Sequence, residues 1–141
     1  MIEKEYKTAL GNIHYWMHYI DENRLTFVFL PGLTADHRLF EAQISHFKNQ
    51  YNIFVWDALG HGMKMLAEAM EKDLPYTIHC PALLICGEQD RAGSCIRYNK
   101  AWHKDAKLPI AWIQNAGHNS NTDQIEIVNA WIENLLNQIE S

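Results

Sequence analysis

Four short apolar runs constrain this chain more than anything else in it. They are Leu25–Leu30 (LTFVFL), Asn52–Trp56 (NIFVW), Ala82–Cys86 (ALLIC) and Ile110–Ile113 (IAWI). Each is too short for an independent helix, and each is followed by a turn that carries glycine or proline. A continuous apolar run of this length reads as a strand buried on both faces, the habit of a parallel sheet. The stretches between them have helical character. Asp36 is placed to N-cap a helix striped by Leu39, Phe40, Gln43, Ile44 and Phe47. Met63–Leu74 is made of strong helix formers.

A third helix is expected from about Ser94 to His103. Asn121 or Thr122 is expected to cap a last one, whose stripe is Ile125, Val128, Ile132, Leu135, Leu136 and Ile139. Ahead of the first run, Tyr6–Leu10 and Ile13–Ile20 flank Gly11-Asn12, which predicts an N-terminal antiparallel β-hairpin. Strands alternating with helices predict an α/β fold: a three-layer α/β/α sandwich around a mostly parallel sheet. Functional groups in such a fold gather at the carboxyl ends of the strands.

Two strand ends carry the chemistry. The run ALLIC closes in a turn at Gly87 and delivers Asp90. The run IAWI closes at Gly117 and delivers His118. An acid and a base on successive strand ends look like the last two members of a nucleophile-His-acid triad. Taken singly, each also reads as a solvated loop residue.

The turns as a set narrow the reading. FLPGLTAD, WDALGHG, LLICGEQD and NAGHNSNTD follow the four runs in order. Together they resemble the α/β-hydrolase fold family over nearly the whole chain. The resemblance implies an ester-type hydrolase acting on a small-molecule substrate, with Asp90 as triad acid and His118 as triad base. It also implies an oxyanion hole in the turn after the first run. There Leu33, next to Gly32, would give a backbone N–H.

One part of the family pattern is missing. The nucleophile normally sits on a G-x-S-x-G elbow between strand and helix. The glycines here are Gly11, Gly32, Gly60, Gly62, Gly87, Gly93 and Gly117, and no two are four apart. After Gly62 the chain passes directly into Met63–Leu74, so the expected elbow strand and lid have no counterpart. The whole chain, residues 1–141, is therefore read as a single reduced domain of about six strands. The four serines offer weak substitutes. Ser45 lies in a helix and Ser141 is the last residue. Ser94 reads as an N-cap and Ser120 as a turn or cap hydroxyl; these two are the remaining nucleophile candidates. Cys86 reads as an inert core thiol. Cys95 stands at a helix start with no partner evident.

Composition closes other routes. A net charge of -5 without a basic patch argues against nucleic acid. No segment approaches the ~20 apolar residues of a membrane span. The acid-bearing start MIEKEYKTAL is not a signal peptide. Three cysteines without metal spacing read as reduced thiols, so a cytoplasmic location is expected. The eight histidines are scattered, and only His14 and His18 lie close together. No metal and no cofactor is expected. Removing the middle of the family sheet exposes apolar strand edges, which predicts either direct pairing across the gap or a homodimer through an edge or a swap. The function expected is thus a hydrolase-family protein, inactive or weak without its nucleophile. The alternatives are a non-catalytic binding or assembly scaffold, or a fragment or deletion form of a longer hydrolase.

Overall fold

The computed structural model describes residues 1–9, 11–31, 35–57 and 79–140. The chain divides into two compact units, Met1–Leu74 and Pro75–Ser141. Each has its own hydrogen-bonded sheet.

The first unit is a four-stranded sheet of order β1-β2-β4-β3. Its strands are β1 (Ile2–Thr8), β2 (Gly11–His18), β3 (Thr26–Phe29) and β4 (Asn52–Asp57). The hairpin forms as expected, but its reversal is displaced. Thr8 pairs with Gly11, so the chain turns before Gly11 rather than at Gly11-Asn12. The Thr8 hydroxyl donates to the Gly11 carbonyl at 2.7 Å, and Gly11 takes φ 135°, which only glycine adopts freely.

β2 runs antiparallel to β4, and β3 runs parallel to it. That register puts Phe27 beside Ile53 and Phe29 beside Val55, on one face of the sheet. There a 3₁₀ turn (His37–Phe40) and helix α1 (Glu41–Phe47) cover them. Phe27 stacks on Phe47 at 4.9 Å and Phe29 meets Phe40 at 5.0 Å. Phe47, Ile53 and Val55 are sealed from water.

The expectation that Leu25–Leu30 is buried on both faces is corrected. Phe29 is buried, whereas Val28 keeps 55% of its surface and Leu30 60%. Among the described residues β3 is the edge strand of its sheet, and its closed face is the one under α1.

Asp36 caps the 3₁₀ turn as the sequence predicts, accepting the Arg38 N–H at 2.9 Å. Its carboxylate also takes the Arg38 guanidinium. These bonds pull the Asp36 pKa down from the usual 3.8 to about 2. A depressed carboxylate stabilises the fold above its unfolded pKa, and that contribution is lost as pH falls through the folded one. Carbon NMR of Asp36 should therefore show it ionised down to about pH 2, and Arg38→Ala, which keeps the backbone N–H but loses the guanidinium, should move it part of the way back toward the ordinary range. An unchanged titration in the variant would refute the pairing.

The second unit holds the parallel pair β5 (Leu84–Gly87) and β6 (Ile110–Ile113). Helix α2 (Cys95–Ala106) connects them. After β6 come a short turn of helix, α3 (Ser120–Asp123), and the long α4 (Ile125–Glu140). Ala111, Ile113, Ala116 and Val128 form its core, with Leu83, Ile85 and Ile132 packed against them.

The last helix starts later than predicted. Asn119 stands at the N-cap position of α3 without a side-chain capping bond, and the backbone breaks at Gln124 (φ -138°, ψ 63°) before α4 begins. Thr122 instead donates both its N–H and its hydroxyl to the Asn119 carbonyl. The α4 stripe buries Val128 and Leu136, while Ile125 and Ile139 at its ends stay exposed.

The pairings among the described strands are thus parallel in β3–β4 and β5–β6 and antiparallel in β1–β2 and β2–β4. Among the described residues, no helix is long and apolar enough to cross a membrane.

Candidate functional site

The second unit brings Asp90 and His118 together. β5 and β6 lie in parallel register with Gly87 opposite Ile113, and the ladder continues into the two loops. Glu88 N–H donates to Ile113 C=O at 3.0 Å, and Gln89 N–H to Ala116 C=O at 2.9 Å. The loops press so closely that a Cβ on Gly87 would lie 2.1 Å from the Gly117 carbonyl oxygen. Asn115 turns with a left-handed φ of 56°. The Gly117 N–H is tied to the Asp123 carboxylate at 2.7 Å. The acid and the base therefore stand on two loops fastened to each other by backbone.

Asp90 divides its two oxygens. Oδ1 accepts the Ala92 N–H at 2.8 Å, and Oδ2 faces His118 Nδ1 at 3.1 Å. Its side chain is 5% exposed, that of His118 59%. Burial pushes the Asp90 carboxyl up. The hydrogen bond with His118 opposes this, as do the Ala92 N–H, the imidazole charge and the Cys95 thiol; the net effect lies below the usual carboxylate range. With Asp90 ionised, the Nδ1–H tautomer of His118 is the one that would donate to Oδ2. That tautomer would leave the Nε2 lone pair on the exposed side of the ring.

The other predicted site residues fare differently. Ser94 stands at the N-cap of α2 but makes no side-chain capping bond. It lines an open cleft of about 400 Å³ with Asp90, Arg97 and Lys100. Among the described residues, no hydrogen bond joins it to His118. Ser120 is buried at the start of α3. Leu33 and Gly32 of the predicted oxyanion turn, and Gly60–Gly62 with the helix expected after them, lie outside the described residues.

Two features escaped sequence reasoning. The first is Cys95, whose Sγ lies 3.8 Å from His118 Nδ1. Asp90, Cys95 and His118 offer a carboxylate oxygen, a sulfur and a nitrogen, all within 4.8 Å of one another. The partner stands 23 residues away, and only the pairing of β5 with β6 closes that distance. The second is a His-Asp pair in the first unit. Asp57, at the end of β4, accepts the His37 N–H at 2.7 Å and faces its Nδ1 at 2.9 Å. The imidazole stacks on Trp16 with ring centres 3.7 Å apart. Two bonds to one carboxylate pin the start of the 3₁₀ turn to the strand end. A cavity of about 360 Å³ lies beside it, lined by Trp16, His37, Arg38, Glu41, Ile44 and Lys48 among others.

No family model matches the chain, and no curated protein matches it. Among solved structures, it is similar to the carboxylesterase CesB (YbfK) from Bacillus subtilis, with a TM-score of 0.66. The two share a fold. The match covers 96% of this chain and 92% of that one, at 12% sequence identity. At that identity the likeness concerns the mixed α/β fold alone.

Proposed function

We propose that this chain is a reduced α/β-hydrolase of ester-hydrolysing ancestry that retains the acid and the base of a triad without its serine nucleophile. The finer architecture proposed is one domain, a three-layer sandwich with a mostly parallel sheet. The observation that carries the proposal is the contact of Asp90 Oδ2 with His118 Nδ1 at 3.1 Å, on the loops that follow two adjacent parallel strands. The fold shared with a carboxylesterase supports it. In a triad, the carboxylate fixes the imidazole tautomer and stabilises the imidazolium, while Nε2 takes the proton of the nucleophile. Asp90 and His118 would perform those two roles. The backbone N–H of Leu33, beside Gly32, would serve the oxyanion.

A serine at the elbow is what the chain does not encode. Ser94 and Ser120 are the only candidates the sequence leaves near the pair. Ser120 is buried and Ser94 makes no bond to the base among the described residues. A fluorophosphonate probe separates the cases. The expected result is no stoichiometric labelling, with hydrolysis of an activated aryl ester no faster than free imidazole supports. Labelling of one serine to stoichiometry would overturn the proposal and identify the nucleophile.

A further inference from the structure

We propose that Asp90, Cys95 and His118 form a binding site for a thiophilic divalent transition metal, zinc above others. Which imidazole nitrogen is used distinguishes a metal site from a nucleophilic triad. In a nucleophilic triad, thiol and carboxylate approach opposite nitrogens of the imidazole. Here both approach Nδ1, the carboxylate oxygen at 3.1 Å and the sulfur at 3.8 Å. Three donors that converge on one point are poorly arranged for relaying a proton to a thiol and well arranged for surrounding a cation.

The distances fit that reading. Zinc bonds of roughly 2.3 Å to sulfur and 2.0–2.2 Å to nitrogen and oxygen, at tetrahedral angles, put the ligand atoms about 3.3–3.7 Å apart. The two contacts to Nδ1 bracket that range, and no pair of donor atoms exceeds 4.8 Å. Shifts of a few tenths of an ångström would bring the two contacts to Nδ1 to that spacing, and the carboxylate and sulfur, within 4.8 Å of each other, have to close the rest.

The supports are in place as well. The Ala92 N–H holds Asp90 Oδ1 and leaves Oδ2 toward the site. A ligating carboxylate is commonly oriented in this way. Cys95 is the first residue of α2, and its N–H is bonded to Ala92 C=O, so the loop that carries Asp90 also fixes the cysteine. His118 is 59% exposed on its side chain, which leaves room for a fourth ligand from solvent. Three protein ligands with one open position is the pattern of non-structural zinc sites. A thiolate selects against magnesium and calcium. One carboxylate and one thiolate balance the two charges of the ion.

Binding has a proton cost that can be written out. The Cys95 thiol loses its proton to solvent as the metal–sulfur bond forms. Nδ1 must present its lone pair, so the imidazole proton moves to Nε2. A metal at this site therefore occupies the base proposed above and removes its basic nitrogen, so metal binding and general-base action by His118 exclude each other.

The test is a cobalt(II) titration of the reduced protein, read by absorbance. Ester turnover plays no part in it, so its outcome is independent of the hydrolase proposal. The expected result is a thiolate-to-cobalt charge-transfer band with intense tetrahedral ligand-field bands, saturating at one equivalent and discharged by zinc. Cys95→Ser should abolish the charge-transfer band. His118→Ala, a change at an exposed side chain, should weaken binding at least about tenfold, the lower end for losing a metal-site contact. Cys80→Ser and Cys86→Ser should leave the spectrum unchanged. Absence of the bands in the wild-type protein would overturn the site. So would their persistence in Cys95→Ser, or binding unaffected by His118→Ala.

Discussion

Replacing Gly87 by alanine should cost about 3 kcal/mol of stability or more, at or beyond the upper end for overpacking, and should separate Asp90 from His118. The added Cβ would stand 2.1 Å from Gly117 O, 2.4 Å from Ala116 O and 2.7 Å from Ala116 C. All three are backbone atoms, so no side chain can rotate away. Relief requires the loop after β6 to retreat from the end of β5. That movement strains the bond from Gln89 N–H to Ala116 C=O and carries His118 with it. Gly93→Ala is the control. Nothing lies within 4 Å of its Cβ, and its φ of +56° is the main obstacle. That conformation costs roughly 1 kcal/mol. Urea unfolding of both variants, with an NMR readout of His118, checks the prediction. Equal losses in the two would show that the close approach of the loops does not hold the site.

The second large effect is expected at Asn52, a buried amide that closes the turn ahead of β3. Its Oδ1 accepts the Ile20 N–H at 2.6 Å, and its Nδ2 donates to Asp21 C=O at 2.8 Å and Arg24 C=O at 3.1 Å. Only 4% of the residue is exposed. Asn52→Ala removes three partners at once. At about 1 kcal/mol for a made bond, and up to 1–3 for a buried group left without one, the loss should reach about 2–4 kcal/mol. Asn52→Asp should not rescue it, because a carboxylate keeps the acceptor and turns its second oxygen toward two carbonyls. Chemical denaturation gives the number; a loss below about 1 kcal/mol would mean that water replaces the amide.

The sequence shows most where the physics is local. The four apolar runs mark β3 to β6 to within a residue or two, because a short buried strand needs little beyond its own side chains. Asp36 could be recognised as a cap because its partner, Arg38, is two residues on. The placement of Asp90 and His118 on neighbouring strand ends is legible because each follows a strand and a glycine turn, and the structure brings them to 3.1 Å. What was missed depends on pairing over distance. The two-sided apolarity of LTFVFL points to an interior strand, but among the described residues β3 pairs only with β4. Gly11-Asn12 looks like a turn by composition, yet the register that matches Ile2 to Met17 moves the reversal ahead of Gly11. Nothing near Cys95 in sequence points to His118. Nothing near His37 points to Asp57, whose carboxylate is 20 residues away. The break at Gln124 was hidden because the helical stripe continues across it.

If the proposed site is right, Asp90 holds His118 by Nδ1 and leaves Nε2 as a free base. Nitrogen NMR of the labelled imidazole in the metal-free protein tests it directly. The Nδ1–H tautomer of neutral His118 is expected in the wild-type chain, and its loss in Asp90→Ala. A neutral His118 protonated on Nε2 in the wild-type chain would contradict it.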